Sequence, residues 1–152
     1  MTKKNKNSLD NSRFERYIEK LDYFRKLMDK LEEWVKDIDA NSFISLDLKE
    51  QFGIYHIFQI IVEIITDLIA MICKDLKIKP KDDYSNINYL REYEILSEEL
   101  SDRLRKINGL RNVLVHNYNG FDDMLAFKSI KENIPYIKKI HEVIQKWLRK
   151  NF

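Results

Sequence analysis

The sequence predicts an all-α protein: an up-and-down bundle of four long helices with one additional short helix. Only three glycines and two prolines punctuate 152 residues, so breaks are few and the elements between them are long. Apolar residues recur at intervals of three and four along most of the chain, the period of a helix with one buried stripe. With 44% hydrophobic and 34% charged residues, the chain is large enough to bury one real core in a single domain.

Residues 1–11 read as a flexible basic tail, with lysines placed to touch a polyanion or water, and residues 12–152 as the domain. From about Ser12 to Ile38 the stripe is Phe14, Tyr17, Ile18, Leu21, Phe24, Met28, Leu31, Val35 and Ile38, with charges of both signs between its members. Asp39-Ala40-Asn41-Ser42 breaks the pattern and reads as a turn. A second helix, capped near Ser45 or Asp47, runs to about Leu76. After Pro80 comes a loop, then a short helix through Tyr89–Glu92 that Ser85 or Asn86 would cap. Leu96, Leu100, Leu104, Ile107, Leu110 and Leu114 form the stripe of a third main helix starting near Ser97. Gly109 inside it costs about 1 kcal/mol against alanine, which a close helix crossing would offset. Asn119-Gly120 signals the stop. The last helix runs from Asp122 or Asp123 to Arg149, and Pro135 is expected to kink or split it.

The centre of the second helix, Ile54 to Cys73, is apolar on nearly all faces. Glu63 and Asp67 argue against a membrane span, since an acid at bilayer centre costs about 2.5–3.5 kcal/mol. Burial among other helices and against a second copy of the chain is the expected solution, so a homodimer is predicted. His56, Gln59, Glu63 and Asp67 form a polar line along this helix. Two readings stand: a partly solvated seam, or a seam that faces the next long helix and orients its polar residues.

Those polar residues are concentrated in Arg111-Asn112-Val113-Leu114-Val115-His116-Asn117-Tyr118. On a helical wheel Leu110, Val113, Leu114 and Asn117 cluster as a core stripe, with Arg111, Asn112, Val115, His116 and Tyr118 spread opposite. An arginine is a forked, permanently charged donor that matches phosphate oxygens. A histidine moves protons near neutral pH. An asparagine can hold either in place. The combination suits phosphodiester chemistry, though a polar face with an ordinary histidine has the same composition. His141, amid Lys138, Lys139 and Glu142, reads as a surface residue.

Arg111-x4-His116, in the extended form Arg-Asn-x-x-x-His-x-Tyr, resembles the motif of HEPN-domain ribonucleases, and of HepT-like toxins in particular. The likeness extends from about Phe52 to Asp122 and takes in the Tyr55–Asp67 helix, Asp82–Ile87 and Asn108-Gly109-Leu110. It implies the same bundle fold and the toxin role of a type VII toxin–antitoxin system. It further implies a metal-independent RNA endonuclease in which His116 is the general acid or base, Arg111 stabilises charge on the phosphate and Asn112 fixes geometry. Glu63 and Asp67 would support them. In that family the tyrosine matching Tyr118 accepts AMP from a partner minimal nucleotidyltransferase, the antitoxin, and two motifs meet across a dimer cleft. A non-catalytic RNA- or nucleotide-binding module, partner to a nucleotidyltransferase, is the competing reading.

A net charge of +2 neither demands nor excludes nucleic acid, so an RNA site must rest on local charge. No metal or cofactor is expected: no Cys/His set has zinc-ligand spacing and no Gly-rich phosphate loop is present. The lone Cys73 reads as a buried thiol. The polar N-terminus lacks the apolar core of a signal peptide, and a cytoplasmic location is expected.

Overall fold

The computed structural model describes residues 3–116, 120 and 122–152, with side chains from Asn11 onward. Six helices follow in order: α1 (Lys3–Val35), α2 (Ala40–Ser45), α3 (Leu48–Asp75), α4 (Asp83–Glu92), α5 (Glu98–His116) and α6 (Asp123–Asn151). Four are long and two short, one short helix more than expected. The backbone of α1 is helical from Lys3, well before the start read at Ser12.

The extra helix is α2, in the stretch read as a turn. Asp39 adopts an extended backbone and its carboxylate accepts the Ser42 N–H at 2.7 Å, an N-cap that starts a helix where composition alone suggests a break. The far end of α2 is held by buried Gln51 on α3. Its Nε2 amide donates to the carbonyls of Phe43, Ile44 and Leu46 at 3.1, 3.4 and 3.0 Å. These lie at a helix C-terminus, where carbonyls run short of backbone donors, and the Phe43 carbonyl also accepts the Leu46 N–H at 3.1 Å.

Asp47 caps α3, one of the two expected positions, and Ser97 Oγ accepts the Leu100 N–H ahead of α5. For α4 the cap is Asp82, not Ser85 or Asn86. Asn86 is buried and pins the preceding loop, accepting the Lys81 N–H at 2.8 Å and donating to the Lys81 carbonyl at 3.2 Å. Both α3 and α4 end in Schellman motifs: Ile78 N–H donates to the Cys73 carbonyl and Ile95 N–H to the Leu90 carbonyl. The residues at the left-handed corner are Lys77 (φ 65°) and Glu94 (φ 59°), where glycine is usual. α6 continues through Pro135 as one helix, so the expected split does not occur.

α3 is the hub, packing against α1, α4, α5 and α6. By length and composition it could cross a bilayer, yet its apolar side chains between Ile54 and Cys73 are largely buried within this one chain. The expectation that they need a second copy for cover is thereby corrected; α1, α4 and α5 supply it. α1 runs antiparallel to both α3 and α6. Tyr17 Oη donates to Asp75 at 2.6 Å, Lys20 approaches Asp67, and the Phe14 ring packs against Phe152. α2 packs on α6 through Phe43 and Phe127, stacked at 4.5 Å. His141 is half-buried, not a surface residue, its ring stacked on Phe24 at 4.6 Å.

Candidate functional site

The motif residues sit on the last two turns of α5, and Arg111 is not where the helical wheel put it. The buried residues of α5 include Leu104, Ile107, Asn108 and Leu114. Arg111 follows Leu104 by seven and Ile107 by four, so it belongs to the inward stripe. Val113, expected in the core, is 39% exposed instead. An arginine on an inward stripe needs a partner, and Glu63 on α3 provides one. Arg111 Nη2 donates to Glu63 Oε1 at 2.7 Å, with side-chain exposures of 23% and 47%. Its Nη1 donates to Asn112 Oδ1 at 2.9 Å, while its Nε is buried with no partner among the described residues. The guanidinium is thus clamped on two sides, with its charge balanced by a carboxylate still open to solvent.

The polar line of α3 divides. Glu63 meets the motif helix. Asp67, one turn on, turns to α1 and lies 3.4 Å from Lys20 Nζ, so it does not touch the motif. His56 is exposed and Gln59 half-buried on the same line.

α5 runs antiparallel to α3. Arg111 sits beside Glu63, and the Tyr55 hydroxyl donates at 2.5 Å to Asp123, the first residue of α6 after the connection from α5. His116, the last residue of α5, is exposed and lies toward the His56 end of α3. It is roughly 140° around the helix from Arg111. Within one chain the imidazole therefore faces water while the guanidinium faces α3. Tyr118 lies outside the described residues.

The burial of Asn108 next to the motif was not foreseen. Asn108, one turn before Asn112, is 1% exposed, and both its amide atoms lack partners among the described residues. Its neighbour Gly109 is not at a close backbone crossing: a Cβ there would meet only the Tyr84 hydroxyl, at 3.7 Å. Among the described residues no group of three or more His, Cys, Asp or Glu side chains is arranged to hold a metal ion.

Among the described residues the chain is an all-helical bundle in which the helix carrying Arg111 and His116 is clamped to the central helix. The model of the HepT-like ribonuclease family matches residues 15–144, and the chain belongs to that family. It is 36% identical over 138 residues to an Archaeoglobus fulgidus protein named "Putative RNase", covering 88% of this chain and 97% of that one. Among solved structures it is similar to the tri-AMPylated Shewanella oneidensis HEPN toxin in complex with MNT antitoxin. That match has a TM-score of 0.76 at 20% identity over 86% of this chain and 96% of the other. A toxin–antitoxin structure with AMP-PNP matches with TM-score 0.75 at 19% identity, over 84% and 96% of the two chains. At these identities the structural likeness is one of fold.

Proposed function

We propose that this protein is the toxin of a type VII toxin–antitoxin system, an endoribonuclease that needs no metal ion. The observation that carries the reading is the Arg111 clamp on the same helix as an exposed His116, in a member of the HepT-like ribonuclease family. The 2′-hydroxyl of a ribonucleotide attacks the adjacent phosphorus, the bond to the 5′-oxygen of the next nucleotide breaks, and the products are a 2′,3′-cyclic phosphate and a 5′-hydroxyl end. His116 takes the proton from the 2′-hydroxyl or gives one to the leaving 5′-oxygen. Arg111 stabilises the charge that builds on the phosphoryl oxygens, and Asn112 holds the guanidinium in place. DNA lacks the attacking hydroxyl and is not cut.

The active form is a homodimer. His116 and Arg111 diverge on their own helix, and exposed Val113, Phe52 and Leu48 offer apolar surface on α5 and α3. A two-fold contact would set one copy's imidazole toward the other's phosphate-binding side. Activity is switched off by a partner minimal nucleotidyltransferase that transfers AMP to Tyr118, placing phosphate charge where Arg111 would meet RNA. The test is cleavage of RNA in EDTA by wild type and His116→Ala, with the products' ends identified. Loss of about 100-fold or more is expected for a proton-transfer group. A fully active variant removes His116 from the mechanism. Wild type that binds RNA without cutting it leaves the non-catalytic binding module.

A further inference from the structure

Where α1 around Arg13 to Tyr17 crosses the end of α3, a cleft of about 240 Å³ has Arg13, Arg16, Tyr17, Lys74, Asp75 and Lys77 among its lining residues. Four cations surround one carboxylate, and that carboxylate is already engaged. Asp75 is ion-paired with Arg13 and accepts the Tyr17 hydroxyl at 2.6 Å. Arg16, Lys74 and Lys77 have no carboxylate partner among the described residues and are exposed. Lys77 is held over the cleft by the Schellman turn that ends α3, in a left-handed conformation its side chain disfavours. In a chain of net charge +2, this is a concentrated positive site.

Its position relative to Arg111 gives it meaning. Lys74 follows Glu63 by eleven residues, which places it roughly 20° from Glu63 around α3. Along the axis the separation is roughly 16–18 Å at 1.5 Å per residue. The two carboxylates of this stretch that share the face, Glu63 and Asp67, are solvent-open but ion-paired with Arg111 and Lys20. The face is therefore a track with neutralised acids, running from the arginine of the candidate site to the cationic cleft.

We propose that the Arg13–Arg16–Lys74–Lys77 cleft is a second RNA-backbone site, which holds phosphates of the same strand about five nucleotides from the cut, at ~3.4 Å per stacked nucleotide. This rests on the ribonuclease reading and deepens it: the enzyme prefers long single strands because a short one cannot reach both sites. Backbone phosphates are bound by charge alone, so the cleft adds affinity without sequence preference.

The test uses Arg16→Gln, Lys74→Gln and Lys77→Gly together in the full chain. None of the three side chains is paired, and glycine relieves the turn at position 77, so the fold is kept. Circular dichroism and a melting curve check that it is. Binding is measured with 2′-O-methyl RNA, which cannot be cut, of about four and about twenty nucleotides. The triple variant is expected to bind the long strand at least about tenfold more weakly. Its log K against log salt should be shallower by about 2, near 0.7 for each single-strand phosphate that is no longer neutralised. The short strand should bind as in wild type, and a short RNA should be cut at the wild-type rate. Unchanged affinity and salt slope for the long strand overturn the cleft while leaving the ribonuclease reading intact. A wild type that neither binds nor cuts RNA sinks the reading on which the cleft rests.

Discussion

Arg111 and Glu63, 48 residues apart in sequence, meet at 2.7 Å across the α5–α3 interface. The pair serves both fold and site. Burying an arginine stem on the inward stripe of α5 requires a counter-charge, and a carboxylate in that place also competes with any phosphate for the same guanidinium. Because Glu63 remains half open to water, the competition is screened and can be won by substrate.

Glu63→Gln keeps a hydrogen-bond acceptor beside Arg111 and removes the negative charge. Binding of uncleavable RNA should tighten by up to about fivefold, the equivalent of the ~1 kcal/mol upper range for a partly exposed pair. Turnover should fall, because the guanidinium is held less firmly. Weaker binding by the glutamine variant would show that Glu63 acts by orienting Arg111 for the ground state as well. An RNA-binding titration set beside single-turnover cleavage separates the two.

Gly109 offers an independent check on the packing of α5. Alanine there meets the Tyr84 hydroxyl at an ordinary 3.7 Å and removes the entropic cost of glycine in a helix. Stability should rise by about 1 kcal/mol, or roughly 2–4 °C in Tm for a chain of this size. A fall in Tm would mean that a tighter neighbour, such as a second copy of the chain, approaches Gly109 in solution.

The parts of the fold that were legible in the sequence are those set by local pattern. Asp47 and Ser97 cap where they stand, and Tyr17, Leu21, Phe24, Met28, Leu31 and Val35 are buried as their spacing requires, whereas Phe14 and Ile18 of the same expected stripe are exposed. Local pattern failed where a residue type is ambiguous. Asp39 before Asn41-Ser42 serves equally a turn or an N-cap, and only the carbonyl-binding Gln51, farther along the chain, makes α2 worth forming. The orientation of α5 was not legible either. Arg111 looks like a surface residue until Glu63 is beside it, and Val113 looks like core until α3 is seen to take the other side. The cationic cleft was invisible for the same reason, since Arg13 and Arg16 are far in sequence from Lys74 and Lys77. Of the candidate site, the motif residues could be named from the sequence, but the divergence of Arg111 and His116 could not.

Gln51 is a single side chain holding the end of one helix from another. Gln51→Leu keeps the volume and loses the amide that serves three carbonyls. The cost should be about 1–3 kcal/mol, the penalty for buried polar groups left unpaired. Hydrogen exchange should show α2 opening more readily than α3. If α2 amides keep wild-type protection, the capping role is wrong, whatever the total stability does.

The stability of the protein should depend on His141 between neutral and mildly acidic pH. Its ring is stacked on Phe24, and its Nε2 is buried without a partner among the described residues. Burial pushes its pKa below the ordinary value of 6.5, nearby Arg25 lowers it further, and Glu142 works weakly in the opposite direction. The unfolded chain therefore binds a proton at a higher pH than the folded one. Above 6.5 both states are neutral there and the packing is at full strength. As pH falls below 6.5 the unfolded state gains the proton first, and stability declines until the folded-state pKa is passed. The carboxylates of Asp39 and Asp82 are held low by their cap hydrogen bonds to Ser42 and Ser85. Their contribution is lost only at lower pH, through and below the ordinary carboxylate range, so the two effects separate. Urea midpoints at pH 7 and pH 5 should differ for wild type, and the difference should shrink in His141→Phe, which keeps the stacked ring and cannot titrate. Equal shifts in the two proteins would mean that His141 finds a hydrogen-bond acceptor when charged, and that acid sensitivity in this range comes from elsewhere.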